Sequence, residues 1–277
     1  MCSYDFVFYF ESEAQSHMKA PKEILSVWNL FKHFPMETLT KAWYASKNPS
    51  HYQRTVEQMK AHYAQYKITG NCFDLSIWLL HEFKTHGIQA YAIGHGLFTE
   101  EAHVAVIALD EHNHKYLCDL GDQWIQPICV DQTSESFHSG DCARFFPGAT
   151  IQVHPSGEDV EVLYKRPNGK VSKQVFQLQP IDESTLLEAA EFSQRHIRPR
   201  PLLECRQYSD GHEVIHWEFY NWHSFSSTMD GKIEDEDLQS THEWAARIHN
   251  KTGYSTEFLI EALTLYKNRI KICERNK

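Results

Sequence analysis

Nowhere in this chain do about 18 apolar residues run together, the length a helix needs to cross a bilayer. The opening Met1-Cys2-Ser3-Tyr4-Asp5-Phe6 carries no basic segment, and the apolar run from Phe6 to Phe10 stops at Glu11, so no signal peptide is expected. The seven cysteines (Cys2, Cys72, Cys118, Cys129, Cys142, Cys205 and Cys273) are odd in number, widely scattered and free of any Cys-x-x-Cys pair. That pattern fits the reduced thiols of a cytoplasmic protein better than a disulfide framework or a cysteine zinc site. There is no Walker-type glycine-rich loop to cradle phosphates. Basic residues are in deficit: 27 Lys and Arg against 37 Asp and Glu leave a formal charge of −10. Nucleic-acid binders need a net basic face, so neither nucleic acid nor a membrane is expected as a partner. Eighteen histidines soften the charge argument only below neutral pH. Internal repeats, low-complexity tracts and obvious linkers are also missing, and no oligomeric state is assigned.

What remains is a 277-residue chain that is 42% hydrophobic, with 16 Phe, 13 Tyr and 7 Trp to build a core. That length suits one large domain or two to three small ones packed together. The first part, to about Thr85, reads as helical. Ile24, Val27, Trp28, Leu30 and Phe31 fall at helical spacing, and Tyr52 to Tyr66 forms a second stretch. A third begins at Cys72, is apolar on most faces, and stops at Gly87 after Lys84, Thr85 and His86, a C-terminal signal with a left-handed cap. From Ile88 the pattern turns to strands: Ile88 to Ile93, Ala102 to Leu109 and Lys115 to Leu120, the last two joined by a polar hairpin. Ala149 to Val153, Val160 to Lys165 and Val171 to Leu178 follow, with Pro167-Asn168-Gly169 as a turn. Short, closely spaced strands predict a small barrel or curled sheet in the middle third. Arg198-Pro199-Arg200-Pro201 then opens a final unit, with strands near Leu203 to Tyr208, Glu213 to Tyr220 and Trp222 to Ser227. Helices around Glu234 to Asn250 and from Thr256 to about Cys273 complete it, the latter striped by Phe258, Leu259, Ala262, Leu263, Leu265, Tyr266 and Ile270.

Against this map one set of residues carries chemistry. Gly70-Asn71-Cys72-Phe73-Asp74-Leu75-Ser76 opens the third helix, followed by Ala102-His103-Val104 and Leu117-Cys118-Asp119 on paired strands. A thiol is a weak nucleophile until something removes its proton and holds the thiolate. Cys72 in a first helical turn meets unpaired amides and the positive end of the dipole, and amides there, such as that of Phe73, can meet an oxyanion. Gly70 lets the chain pass close to a substrate with no Cβ in the way. The hairpin brings His103 and Asp119 together, with Asp119 expected to accept the Nδ1 proton and hold the tautomer.

Gly70-Asn71-Cys72-Phe73-Asp74, Gly87-Ile88-Gln89-Ala90-Tyr91-Ala92-Ile93-Gly94, Ala102-His103-Val104 and Tyr116-Leu117-Cys118-Asp119-Leu120-Gly121 together resemble the core of the transglutaminase-like cysteine (Cys-His-Asp) superfamily. Within it, the layout of the whole chain resembles the arylamine N-acetyltransferases. The resemblance implies an α+β fold with a cysteine-proteinase-like core. A helical bundle (1–86) would carry the nucleophile, an antiparallel β-barrel (87–195) would carry His and Asp, and an α/β lid (196–277) would close the chain. It implies a cysteine-dependent N-acyltransferase in which Cys72 is acylated by acetyl-CoA or another acyl-CoA. His103 would be its base, Asp119 would orient His103, and the acyl group would pass to a small-molecule amine. The acetyltransferases carry Arg-Gly-Gly-aromatic-Cys with a Glu two residues after the Cys, where this chain has Ile68-Thr69-Gly70-Asn71-Cys72 and Asp74. The Gly87 to Gly94 segment is more similar to transglutaminase and protease members, which attack a glutamine or peptide carbonyl without CoA. A cysteine amidase or peptidase is therefore the alternative, and a non-catalytic scaffold a third reading.

Other features are weaker. His112 and His114, beside Asp110 and Glu111, have metal-like spacing but sit on a hairpin tip with no remote ligand, and no metal is expected. Lys165, Arg166, Lys170 and Lys173 could meet the phosphates of CoA, although a solvated hairpin is the plainer account. Arg198 and Arg200 take the same discount. Trp217, Phe219, Tyr220, Trp222 and Phe225 could wall an acceptor pocket or simply pack a sheet. Gln65 and Tyr66 precede Cys72 closely enough to offer a side-chain oxyanion donor.

Overall fold

Helix starts in this chain are set largely by side chains that take over the unpaired amides of a first turn. The computed structural model describes residues 19–208 and 213–275, with side chains to residue 269. The readings of Met1 to Glu11 and Cys2, and of the Ile270 and Cys273 side chains, lie outside the described residues. Helix α1 (Lys22–Trp28) runs into a 3-10 turn, Asn29–Phe31, and buries Ile24, Val27, Trp28 and Phe31. A two-residue strand β1 (Met36–Glu37) and helix α2 (Leu39–Ala45) follow, neither of them expected from the sequence. Helix α3 (Val56–Tyr66) starts later than its pattern suggested because Thr55 and Gln58 form a capping box. The amides of Tyr52 and Gln53 go instead to the Glu191 carboxylate, each at 2.7 Å. Helix α4 (Cys72–Thr85) ends where expected, with Gly87 in the left-handed region (φ +72°).

Three antiparallel sheets follow. The first joins β2 (Ala90–His95), β3 (His103–Leu109), β4 (Lys115–Cys118) and β5 (Ile128–Cys129) in chain order. The second joins β6 (Cys142–Phe146), β7 (Ala149–Ser156), β8 (Asp159–Lys165) and β9 (Val171–Gln177). The expected central barrel is therefore corrected: among the described residues there are two four-stranded sheets and no closed barrel. The physical reason is the connection from β5 to β6, which is turns and irregular chain with no ladder to join the sheets. The far edge of β2 forms no ladder among the described residues and carries an isolated bridge from Ala92 to Ile181. Helix α5 (Glu183–Arg195), capped by Asp182 on the Thr185 amide at 2.9 Å, was also not anticipated.

The third sheet has the order β1-β10-β11-β12-β13, with β10 (Leu202–Tyr208), β11 (Val214–Tyr220), β12 (His223–Thr228) and β13 (Gly231–Glu234). Strand β1 thus reaches across the chain to pair Met36 with Glu204. The stretch expected to begin a helix at Glu234 ends a strand instead. Helix α6 (Thr241–Thr252) waits for the Ser240–Glu243 capping box, and α7 (Thr256–Arg275) follows Gly253. Leu203, Cys205, Trp217 and Phe219 alternate onto one face of this sheet and pack against Trp244, Ile248, Phe258 and Leu259. A second core joins α1 and α4 to the first two sheets.

One buried contact ties the third sheet's helices to the start of α4. Tyr254, with no exposed surface, accepts the Thr69 amide at 3.1 Å and bonds the Thr69 hydroxyl, which donates onward to the Pro35 carbonyl at 2.7 Å. Tyr254→Phe leaves the Thr69 amide buried without an acceptor, and a loss of about 1–3 kcal/mol is expected in urea unfolding. An unchanged unfolding midpoint would contradict that role.

Candidate active site

The first turn of α4 is fixed by a reciprocal cap. Asn71 Oδ1 accepts the amides of Phe73 (3.1 Å) and Asp74 (3.2 Å), and the Asn71 amide donates to Asp74 Oδ2 (3.2 Å). Asp74 is itself buried. It pairs with Arg54 (3.2 Å) and accepts from Gln53 (3.0 Å) and from Gln194 on α5 (2.9 Å). A guanidinium thus stands beneath the helix that Cys72 opens, although the sequence has Ile68 where the resemblance implies an arginine. Gly70 belongs to this network. With φ at +142°, its missing Cβ would fall 2.2 Å from Asp74 Oδ2 and 2.7 Å from Arg54 Nη2, so the position makes room for the ion pair rather than for substrate. The Phe73 amide is likewise committed to Asn71. Among the first-turn amides of α4 only that of Cys72 itself has no protein acceptor.

His103 opens β3, and the ladder to β4 ends at Val106 and Cys118. Beyond it the chain folds into a tight turn, closed by the Trp124 amide on the Asp119 carbonyl at 3.1 Å. This turn carries Asp119 back to His103. Nε2 of His103 lies 2.8 Å from Asp119 Oδ2, so the ring is turned the opposite way from the expected Nδ1 contact. Asp119 has no exposed surface and also accepts the Asp122 amide at 3.0 Å. With Nε2 so engaged, Nδ1 is left free of Asp119 and lies 3.8 Å from Asp122 Oδ1, and Cys72 and the ring crowd the same point, where a Cβ on Gly121 would fall. Burial alone would lower the His103 pKa, but Asp119 and Asp122, with the hydrogen bond to Asp119 and the neighbouring Cys72, raise it well above 6.5. That direction favours the imidazolium, which carries an N–H on both nitrogens. Burial pushes Asp122 up to about 6, with Asp119 adding to the effect against the pull of His103.

These groups face a cavity of about 540 Å³ that Cys72, His103, Gly121 and Asp122 line together with Lys41, Arg198, Arg200 and Tyr220. Cys72 is half-exposed to it, whereas the other described cysteines are buried. Burial raises the thiol of Cys142 to about 11 and that of Cys205 to about 12.

Other expected residues lie elsewhere. Lys165 pairs with Asp141 (2.6 Å) and Lys173 with Glu161 (2.9 Å). Arg166 and Lys170 line a separate cavity of about 430 Å³ that shares only Asp122 with the first. The basic residues at the Cys72 cavity are instead Lys41, Arg198 and Arg200. Gln65 is exposed, and Tyr66 packs on Trp43 at 5.3 Å, so neither lines the cavity. Trp217 and Phe219 are core and Trp222 packs against them; of the aromatic run only Tyr220 reaches Cys72's cavity. His114 holds Asp110 at 2.9 Å on its hairpin. His103, Asp119 and Asp122 bring three ligand-type atoms within 4.8 Å of one another, and the contacts among them are those of a hydrogen-bonded imidazole. Sequence reasoning missed Arg54, Gln194 and Asp122, although a second carboxylate three residues after Asp119 was a visible signal.

No family model matches this sequence, and no curated protein matches it. Solved structures do. The M. smegmatis arylamine N-acetyltransferase superposes with a TM-score of 0.64 at 13% identity, covering 86% of this chain and 90% of that one. The Salmonella typhimurium enzyme gives 0.62 at 12% identity, over 83% and 86%. The Mycobacterium marinum enzyme, in complex with CoA, gives 0.61 at 11% identity, over 94% and 90%. The chain has the arylamine N-acetyltransferase fold.

Within that fold Gly121 is a tight point. Continuing the β3–β4 register places residue 121 opposite His103. A Cβ there would lie 2.8 Å from Cys72 Cβ and 2.9 Å from His103 Cε1. Gly121→Ala is expected to force the thiol and ring apart and slow reaction of Cys72 with a neutral maleimide by about 100-fold, in a chain that keeps its far-UV circular dichroism. Labelling at the native rate, mapped to Cys72 by peptide mass, would contradict this geometry.

Proposed function

We propose that this chain is an N-acyltransferase that moves an acyl group from acyl-CoA to a small-molecule amine through a thioester on Cys72. The observation that carries the reading is the ring of His103, anchored at Nε2 by a fully buried Asp119 and placed beside Cys72 at the start of α4 on one cavity. A thiolate attacks carbonyl carbon where a thiol does not, and a positive imidazole beside the sulfur sustains it. Sγ of Cys72 bonds to the acyl carbon as the carbon–sulfur bond of the donor breaks, and His103 gives its Nδ1 proton to the departing thiolate. Neutral His103 then takes a proton from the attacking amine, the bond to Sγ breaks, and the thiolate–imidazolium pair is restored. Asp119 keeps the ring oriented and stabilises its charged form in both half-reactions. The Cys72 amide, free of the Asn71 cap, is the backbone donor for the oxyanion.

Support for CoA as donor comes from the shared fold, which in the M. marinum structure is in complex with CoA. The cavity also fits a small substrate, since it holds about 540 Å³ beside basic side chains. Cytoplasmic location remains our reading of the thiols, alongside the fact that no described helix is long and apolar enough to cross a membrane.

The test is intact mass after incubation with acetyl-CoA and other acyl-CoAs without an acceptor. One acyl group on Cys72 is expected, discharged on adding an aromatic amine, with turnover at least about 1,000-fold lower in Cys72→Ala. A chain that stays unmodified by every acyl-CoA, yet releases ammonia from glutamine peptides, would overturn this reading in favour of a cysteine amidase.

A further inference from the structure

The charges that line the cavity above Cys72 are unevenly paired. Its acids are Glu100, Glu101 and Asp122, and its lysine and arginine side chains are Lys41, Arg198 and Arg200. Arg198 is spoken for, 2.8 Å from Glu101 and 3.6 Å from Glu100. Asp122 faces the His103 imidazolium. Asp74, which also acts on Lys41 at a distance, is committed to Arg54, Gln53 and Gln194. Two cations are left over. Arg200 reaches only the neutral phenol of Tyr220, at 3.3 Å, and Lys41 has no ion pair or hydrogen bond among the described residues. In a chain with 37 acids and 27 bases, two cations without carboxylates on one cavity wall call for a physical reason.

The wall is also built to hold them. The Thr38 amide donates to the Leu202 carbonyl at 2.9 Å, and the Tyr266 hydroxyl donates to Thr38 at 2.9 Å. This pins the start of α2, three residues before Lys41, to the start of β10, two residues after Arg200. Lys41 is half-buried, and burial first, then Arg198, pushes its pKa down to about 8 against the pull of Cys72 and Asp74. An ammonium held out of water without a counter-ion gains when an anion docks beside it.

We propose that Lys41, assisted by Arg200, seats a carboxylate of the small substrate that reacts at Cys72. The proposal rests on Cys72 as the nucleophile but not on the identity of the acyl donor. Lys41 lines the same small cavity as Cys72, so an anion it holds lies within a small substrate's reach of the reacting carbon. The diphosphate of an acyl-CoA lies at the far end of its pantetheine arm and is the poorer match. Two sources share this chemistry: an acyl group ending in a carboxylate, and an amine acceptor that carries one.

Alkylation of Cys72 by iodoacetate and by iodoacetamide tests this without any CoA ester. Both reagents attack the same sulfur, so their rate ratio cancels changes in the thiolate population. The native chain is expected to favour iodoacetate about tenfold more than a small free thiol does, a preference that fades as salt rises. Lys41→Met should return the ratio to that of the free thiol, and Lys41→Arg should keep most of the preference. A ratio equal in the native chain and in Lys41→Met overturns the proposal. Cys72 inert to both reagents overturns it together with the nucleophile assignment, whereas failure of every acyl-CoA with the ratio still dependent on Lys41 overturns only the donor. Comparing a carboxylate-ended acyl thioester with its neutral analogue, and aminobenzoate with aniline, then separates the two sources. The Lys41-dependent preference is expected in one of these pairs, and its absence from both overturns the assignment to substrate.

Discussion

A carboxylate sealed from water must be met by donors inside the protein, and Asp119 has no exposed surface at all. It is met by Nε2 of His103 at 2.8 Å and by the Asp122 amide at 3.0 Å. Much else at the site follows from satisfying that one group. The ring is oriented, its charged form is favoured, and its second nitrogen is left free of Asp119. The turn after β4 exists to bring the carboxylate back over the strand, and it leaves so little room that residue 121 has no space for a Cβ.

A second buried carboxylate does for the Cys72 helix what Asp119 does for the His103 ring. Asp74 gathers the adjacent Gln53 and Arg54 from one stretch of chain and Gln194 from another, and closes the cap on α4 through Asn71. The two glycines of the site are then explained alike. Gly70 yields its Cβ space to the Arg54–Asp74 pair, and Gly121 yields its own to Cys72 and His103. The third sheet adds the remaining wall: β1 and α2, early in the chain, pair with β10 and pack on α7, which places Lys41 and Arg200 on the same cavity as Cys72.

The parts legible in sequence were those governed by local rules. Helix α4 and its Gly87 stop follow from apolar spacing and a left-handed cap, and β3 and β4 from alternation about a polar turn. Their pairing was enough to bring His103 and Asp119 together, but ring orientation depends on a turn past the end of the ladder, and Nε2 rather than Nδ1 meets the carboxylate. What escaped was non-local. Arg54 takes its place beside Asp74 through contacts that no spacing reveals. The barrel reading failed because short strands at close intervals do not say which of them pair. Strand β1 is two residues long and makes sense only against β10. Helix α5 was readable in principle, from the Asp182 cap and the spacing of Leu186, Ala189 and Ala190, but lay unassigned at the end of the unit (87–195) expected to be a barrel.

The central claim is that Asp119 holds His103 as an imidazolium facing Cys72. Titration of the His103 ring by NMR, in the native chain with labelled histidine and in Asp119→Asn, measures it directly. The account requires a native midpoint well above 6.5, falling by more than about one pH unit in the variant. A native midpoint at or below 6.5, or one that the substitution leaves in place, would contradict it.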